Sequence, residues 1–217
     1  MGLRPRRDRL RAEHARWRGR LLALRPPRGG ERVNAPLSFE TREVGAQTWP
    51  DLERLFEARG GPRWCWCSVF RRDATGRRPK DREGQKALLE GMARRDVPVG
   101  LLAYYGGEPV AWCSVAPRET FAPLGGIDNP GEPPGAVWSI TCFYVRSAYT
   151  RRGMMRTLID AATAYAARNG AQTVEAYPVP PDAPSYRFMG FTPAFAQAGF
   201  VEAGRAGKRR IVMRRRV

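Results

Sequence analysis

From residue 37 onward the chain settles into short apolar runs and periodic stripes. "LSFETREV" (37–44) alternates apolar and polar positions, which predicts a half-buried strand. "TWPDLERLFEARGG" then puts Leu52, Leu55 and Phe56 on one helical face, with Thr48 or Asp51 at its start and Gly60-Gly61 as its stop. "DREGQKALLEGMARR" (81–95) predicts a second helix with Ala87, Leu88 and Met92 inward, while the aromatic "GPRWCWCSVFRR" (61–72) between them fits neither period. "VPVGLLAYY" and "EPVAWCSVAPRE", joined by Gly106-Gly107, predict an antiparallel hairpin.

After a Pro/Gly-rich stretch (123–135), "AVWSITCFYV" (136–145) reads as a fully buried strand. The helix that follows, in "RTLIDAATAYAARNG", carries Met155, Leu158, Ile159, Ala162 and Ala166 on one stripe and ends at Asn169-Gly170. "QTVEAYPV" (172–179) completes a strand–helix–strand unit, whose helical crossover makes its two strands parallel neighbours. "TPAFAQAGF" (192–200) reads as a short helix with Pro193 in its first turn, and "KRRIVMRRRV" as a last strand. The expected class is α/β (α+β): a single domain with a central mixed, mostly antiparallel twisted sheet of six to seven strands, flanked by about four helices.

Charge divides the chain differently. The net charge is +17, but residues 1–35 hold eleven arginines against Asp8, Glu13 and Glu31, and residues 205–217 hold seven basic residues and no acid. The remaining 20 basic and 18 acidic residues leave the body near +2. The expected division is therefore a basic, flexible N-terminal tail (1–35), which also reads as a leader or a misplaced start, and a folded domain (36–217). No run of 18 apolar residues occurs, so no membrane span is expected.

Cys65, Cys67, Cys113 and Cys142 sit in hydrophobic sequence, which suits reduced, buried thiols in a cytoplasmic protein. Cys65-x-Cys67 has the wrong spacing for zinc and the sole histidine is the distant His14, so no metal is expected.

The junction "YTRRGMMRTL" (149–158) is the clearest candidate for chemistry. A strand turning directly into a helix exposes the helix's first N–H groups, where the macrodipole favours an anion. Arg151 and Arg152 add two cations, and Gly153 lets a ligand approach the main chain; a solvated helix start is the competing reading. "FYVRSAYTRRGMMRTLIDAATAYA", together with the later "FAQAGF" (195–200) and the order of elements, resembles the GNAT acyltransferase superfamily over about residues 37–216. That family's acyl-CoA signature, R/Q-x-x-G-x-G/A, is matched strictly only at Gly153, since Thr150 stands at its first position and Met155 at its last.

The resemblance implies acetyl-CoA as co-substrate and an amine as acceptor, with direct transfer between them. It implies that the main chain of Phe143, Tyr144 and Val145 holds the pantetheine arm and polarises the thioester carbonyl. It also implies that Arg151, Arg152, Gly153, Met154 and Met155 surround the pyrophosphate. The tyrosine that the family commonly uses as acid falls at Phe195, which has no proton to give, so Tyr186 and Tyr177 are the substitutes, each with a structural reading beside it. Glu175 and Glu119 are the candidate bases; each also reads as a solvated surface carboxylate, and a relay through water fits equally. The segment Trp64 to Cys67 is either a wall of the acceptor pocket or core packing, and Cys142 either meets the thioester or is a buried thiol. The alternative function is a catalytically degenerate member of the same fold that binds nucleic acid or the ribosome through residues 1–35 and 205–217; a homodimer is also open.

Overall fold

The computed structural model describes residues 38–127 and 131–217. The basic segment 1–35 lies outside the described residues, and so does the expectation about its form. Seven strands form one sheet: β1 (Glu40–Glu43), β2 (Leu101–Tyr105), β3 (Glu108–Pro117), β4 (Val137–Val145), β5 (Thr173–Ala176), β6 (Val201–Ala206) and β7 (Arg210–Arg216). Four α-helices accompany it: α1 (Trp49–Glu57), α2 (Arg82–Arg94), α3 (Met154–Arg168) and α4 (Thr192–Gln197). The spatial order is β1-β2-β3-β4-β5-β7-β6, antiparallel throughout except for the parallel pair β4–β5 that α3 connects. The expected mixed sheet with helices on both faces is the fold observed.

Each face has its own core. On one face α3 and α4 bury Met154, Leu158, Ile159, Ala162 and Phe195 against Val115, Ile140, Val174 and Ala176 of the sheet. On the other, Leu52, Leu55 and Phe56 of α1 and Leu89, Met92 and Ala93 of α2 pack on Leu102, Tyr104, Trp112 and Cys142. Asp81 caps α2 by accepting from the Gly84 N–H at 2.6 Å.

Several expectations need correction. The inward stripe of α3 is led by Met154, which is buried, whereas Met155 is only partly covered. That of α2 runs through Gln85, Leu89, Met92 and Ala93, leaving Ala87 exposed. The segment 192–200 is helical only to Gln197, and β6 follows it as an edge strand whose residues are mostly exposed, so no apolar period announces it. β5 stops at Ala176 instead of reaching residue 179.

Gly100 leads the chain into β2, and a Cβ built there would lie 2.2 Å from the Cys113 carbonyl oxygen and 2.6 Å from the Trp112 ring. Gly100→Ala is expected to lower stability by about 3 kcal/mol or more, read from the midpoint of urea unfolding.

Candidate functional site

The site begins where β4 and β5 part. Their parallel register runs from Val137↔Thr173 to Ile140↔Ala176 and ends there, while β4 continues to Val145. Beyond β5 the chain turns to another partner: Val179 donates to the Gly190 carbonyl at 3.1 Å and its own carbonyl accepts from the Thr192 N–H at 3.1 Å. The last residues of β4 therefore keep β3 on one side and have no strand of the sheet on the other.

Alternation decides which groups face that gap. The Arg146 N–H donates to the Val110 carbonyl at 2.9 Å, and Ala111 is the register partner of Val145. Successive residues of an antiparallel strand present their N–H and C=O groups to opposite sides. Tyr144 and Cys142 thus turn theirs to β3, and Phe143 and Val145 turn theirs into the gap.

A short turn then delivers the chain to α3. Arg151 (φ 60°) and Gly153 (φ 76°) both hold left-handed backbone, a conformation that glycine adopts without penalty. Gly153 is the N-cap, with no side-chain cap bond, and the space beside its Cα is open to at least 4 Å. The N–H groups of the first helical turn, Met154, Met155 and Arg156, consequently face outward beside exposed Arg151 and half-buried Arg152. Thr150, at the position where a basic or amide residue is expected, turns its hydroxyl back to donate to the Ser147 carbonyl at 2.8 Å.

Two cavities open on the face opposite α3. The smaller, about 350 Å³, lies directly on the free half of β4: Thr141, Cys142, Phe143 and Tyr144 form one wall, with Cys65, Cys67, Phe70 and Phe188 opposite. Its surroundings are almost wholly apolar, and burial raises the Tyr144 phenol above its ordinary value. Of the Trp64–Cys67 segment, Cys65 and Cys67 line this cavity, Trp66 is core, and Trp64 is exposed.

The larger cavity, about 670 Å³, has Glu175 and Tyr177 at its floor and the loop from Phe121 to Ile127 at its rim. Here the surface-carboxylate reading of Glu175 is overturned: the residue has 0% exposure. Tyr177 donates its hydroxyl proton to Oε1 of Glu175, the Arg214 Nε donates to Oε2 at 2.6 Å, and the Arg118 guanidinium lies 3.8 Å away. Burial first, and then the carboxylate's charge, push the Tyr177 phenol far up. Glu119 is exposed instead and accepts from the Gly135 N–H at 2.7 Å.

Tyr186 stands outside this network, at a left-handed position (φ 60°), its ring 6.1 Å from that of Phe188. The Arg210 guanidinium is set among the rings of Phe70, Tyr177 and Tyr186 at 5.6, 5.9 and 5.2 Å, so it links the two cavities' aromatic walls. Sequence reasoning missed Arg210, Phe70 and Phe188. It also missed that the basic C-terminal run is partly inward: Arg214 serves Glu175, and Arg215 donates to the Ala198 carbonyl at 2.8 Å. Among the described residues no cluster of His, Cys, Asp or Glu suited to a metal occurs, and no helix is long and apolar enough to cross a membrane.

A family model described as "Acetyltransferase (GNAT) family" matches residues 53–191. Solved structures share the fold at low identity. The aminoglycoside acetyltransferase AAC(6')-Ib in complex with coenzyme A is 15% identical with a TM-score of 0.53, covering 82% of this chain and 95% of that one. A GNAT-family acetyltransferase from Streptococcus pneumoniae is 15% identical with a TM-score of 0.51, covering 83% and 99%. The ribosomal-protein-alanine N-acetyltransferase from Brucella melitensis is 18% identical with a TM-score of 0.50, covering 82% and 99%. No curated protein matches.

Removing the charge of Glu175 takes away the nearer carboxylate of Arg214 in a largely buried site and leaves Glu132, 3.3 Å from Arg214 and 3.1 Å from Arg118, as their remaining acid. Glu175→Gln is expected to lower unfolding free energy by about 3 kcal/mol in urea titration, and Tyr177→Phe, which removes one donor and leaves the ion pair, by about 1 kcal/mol.

Proposed function

The chain belongs to the GNAT acetyltransferase family, and from that premise we propose that it is an acetyl-CoA-dependent N-acetyltransferase whose acceptor is a primary amine with an apolar body. One observation carries the reading: β4 parts from β5 after Ile140, so the main-chain groups of Phe143 and Val145 face a gap that leads to the uncapped N-terminus of α3.

The residues present fit the co-substrate. A pantetheine arm is a chain of amides and needs main-chain partners of the kind a strand offers its neighbour, which Phe143 and Val145 supply. The pyrophosphate needs N–H donors and positive charge, supplied by Gly153, Met154 and Met155 with Arg151 and Arg152 beside them. Because the donors are main-chain groups, Thr150 and Met155 do not remove the site. Acetyl-CoA brings the acetyl group as an activated thioester.

The chain's own part is positioning and proton management. A gap-facing N–H of β4 stabilises the negative charge that develops on the thioester oxygen. The acceptor's apolar body fits the 350 Å³ cavity, which places its amine against the free half of β4. Glu175 has both oxygens engaged and lies at the floor of the neighbouring cavity, an arrangement that suits an orienting carboxylate and a base acting through water. Tyr186, exposed and with its ring 6.1 Å from that of Phe188 in the smaller cavity's wall, is the candidate proton donor to the departing thiolate.

Acetyl-CoA held about 100-fold above its Kd is expected to raise Tm by about 5 °C in a thermal melt. Gly153→Val puts a branched side chain in the open space before α3 and in a left-handed conformation, costing roughly 1–2 kcal/mol of stability. The same change should weaken acetyl-CoA binding at least about tenfold by calorimetry. An unchanged Tm in the wild type would overturn the reading.

Across a panel of amines, arylalkylamines should exceed polycationic amines in kcat/KM by about tenfold or more. Phe188→Ala should raise KM for them with little change in kcat, and equal rates across the panel would remove the apolar acceptor from the proposal.

A further inference from the structure

Three of the four cysteines meet at the smaller cavity. Cys65, Cys67 and Cys142 line it, and the Sγ atoms of Cys67 and Cys142, 75 residues apart in the chain, lie 3.0 Å from each other. Both thiols are free and almost enclosed, at 6% and 8% exposure. A disulfide needs a separation of about 2 Å, so about 1 Å of approach stands between this contact and a bond. The loop reaches the contact through two consecutive left-handed residues, Trp66 (φ 44°) and Cys67 (φ 46°), a conformation uncommon for residues bearing a side chain. Each end is fixed: Trp66 packs on Trp49 and Phe56, and Cys142 belongs to β4.

We propose that Cys67 and Cys142 are a reversible dithiol–disulfide pair, oxidised by low-molecular-weight disulfides, whose bond ties the 62–70 loop to the free half of β4 across the apolar cavity. The two thiols lose two protons and two electrons as the protein S–S bond forms. The small disulfide takes up both, its own S–S bond breaks, and two small thiols leave. Cys65 is the point of entry, because it is the only half-exposed member of the three and lines the same cavity. Its hydrogen bond from Cys67 holds its thiol down to about 6, so at neutral pH it is largely thiolate, the form that attacks a disulfide. Cys67, pushed up foremost by its contact with Cys142, attacks next, breaking the mixed disulfide at Cys65 and releasing the second small thiol. Cys142 then attacks the Cys67 sulfur beside it, the Cys65–Cys67 bond breaks, and Cys65 leaves again as the thiolate.

Cys113 serves as the internal control. It pairs in register with Phe143 but packs in the α3-side core, and burial pushes its thiol up. The proposal rests on the thiols alone and stands whether or not the acetyltransferase reading holds.

The test is incubation of the full chain with oxidised glutathione, followed by intact mass and non-reducing peptide mapping. Expected is a loss of the mass of two hydrogens, mapped to a Cys67–Cys142 linkage and reversed by excess dithiothreitol. The oxidised protein should melt about 5 °C higher, and amide exchange over residues 62–70 should slow about tenfold or more. The linkage should persist in Cys113→Ser and form more slowly, to the same end point, in Cys65→Ser. Loss of the linkage in either variant, a wild type that stops at a mixed disulfide, or an unchanged mass overturns the proposal. The wild-type map decides by itself if Cys65→Ser or Cys113→Ser fails to fold.

Discussion

The parting of two parallel strands governs the rest of this molecule. A parallel pair in the middle of a sheet ordinarily satisfies every main-chain group along its length, because a buried unpaired amide is costly. Here the pairing covers four residues of each strand and ceases. What draws β5 away is an alternative partner, since Val179 has its N–H and its carbonyl engaged by residues 190 and 192. What keeps β4 in the sheet is β3, which stays paired with it to Val145 past one irregularity that leaves Thr141 of β4 without a register partner. The result is a strand end with one side built and one side open, shortly before a helix whose N-cap, Gly153, offers no side-chain cap bond. A ligand that is amide-rich along its arm and doubly anionic at its end matches both features, and α3 inherits its position from β4 with only eight residues between them.

The polar groups beneath the sheet are arranged so that no charge on Glu175 goes unanswered. Its register partner on β7 is Arg214, so strand pairing itself brings the acid and the base together. A fully buried carboxylate would otherwise neutralise or destabilise the fold. Arg118 and the Tyr177 hydroxyl complete the set, and Arg214 extends it to Glu132 at 3.3 Å. The larger cavity thus presents a neutralised floor, and the smaller one an apolar interior.

Much of this was legible from sequence, and the limits have physical causes. Strong periods gave the strand–helix–strand unit, and Gly106-Gly107 gave the hairpin, because both signals are local. Edge strand β6 was missed because its side chains mostly face water and carry no alternation. The α3 stripe was set one residue off at its start, since Met154 and Met155 are equally apolar and only the N-cap at Gly153 decides which turns inward. Glu175 was read as surface or base because its burial depends on Arg214, 39 residues away, and a single sequence does not show strand neighbours. For the same reason Phe70, Phe188 and Cys142 could not be assembled into one cavity: they come from two loops and a strand, and nothing in their spacing joins them.

The wall formed by the 62–70 loop is irregular and needs an anchor that secondary structure does not give it. Arg71 provides one. It is wholly buried, and its guanidinium reaches the Thr120 hydroxyl at 2.6 Å, the Thr120 carbonyl at 3.3 Å, and the Pro98 and Val99 carbonyls at 3.5 Å, while lying 3.7 Å over the Phe121 ring. Burial pulls its pKa down to about 9, so it remains charged at neutral pH. The charge polarises several neutral acceptors at once and draws the start of β2, the turn after β3 and the end of the loop to a single point. A lysine would bring the same charge but not a planar fork with donors in several directions and a face to stack on a ring. The shape of the guanidinium, more than its charge, is therefore what fixes the cavity wall.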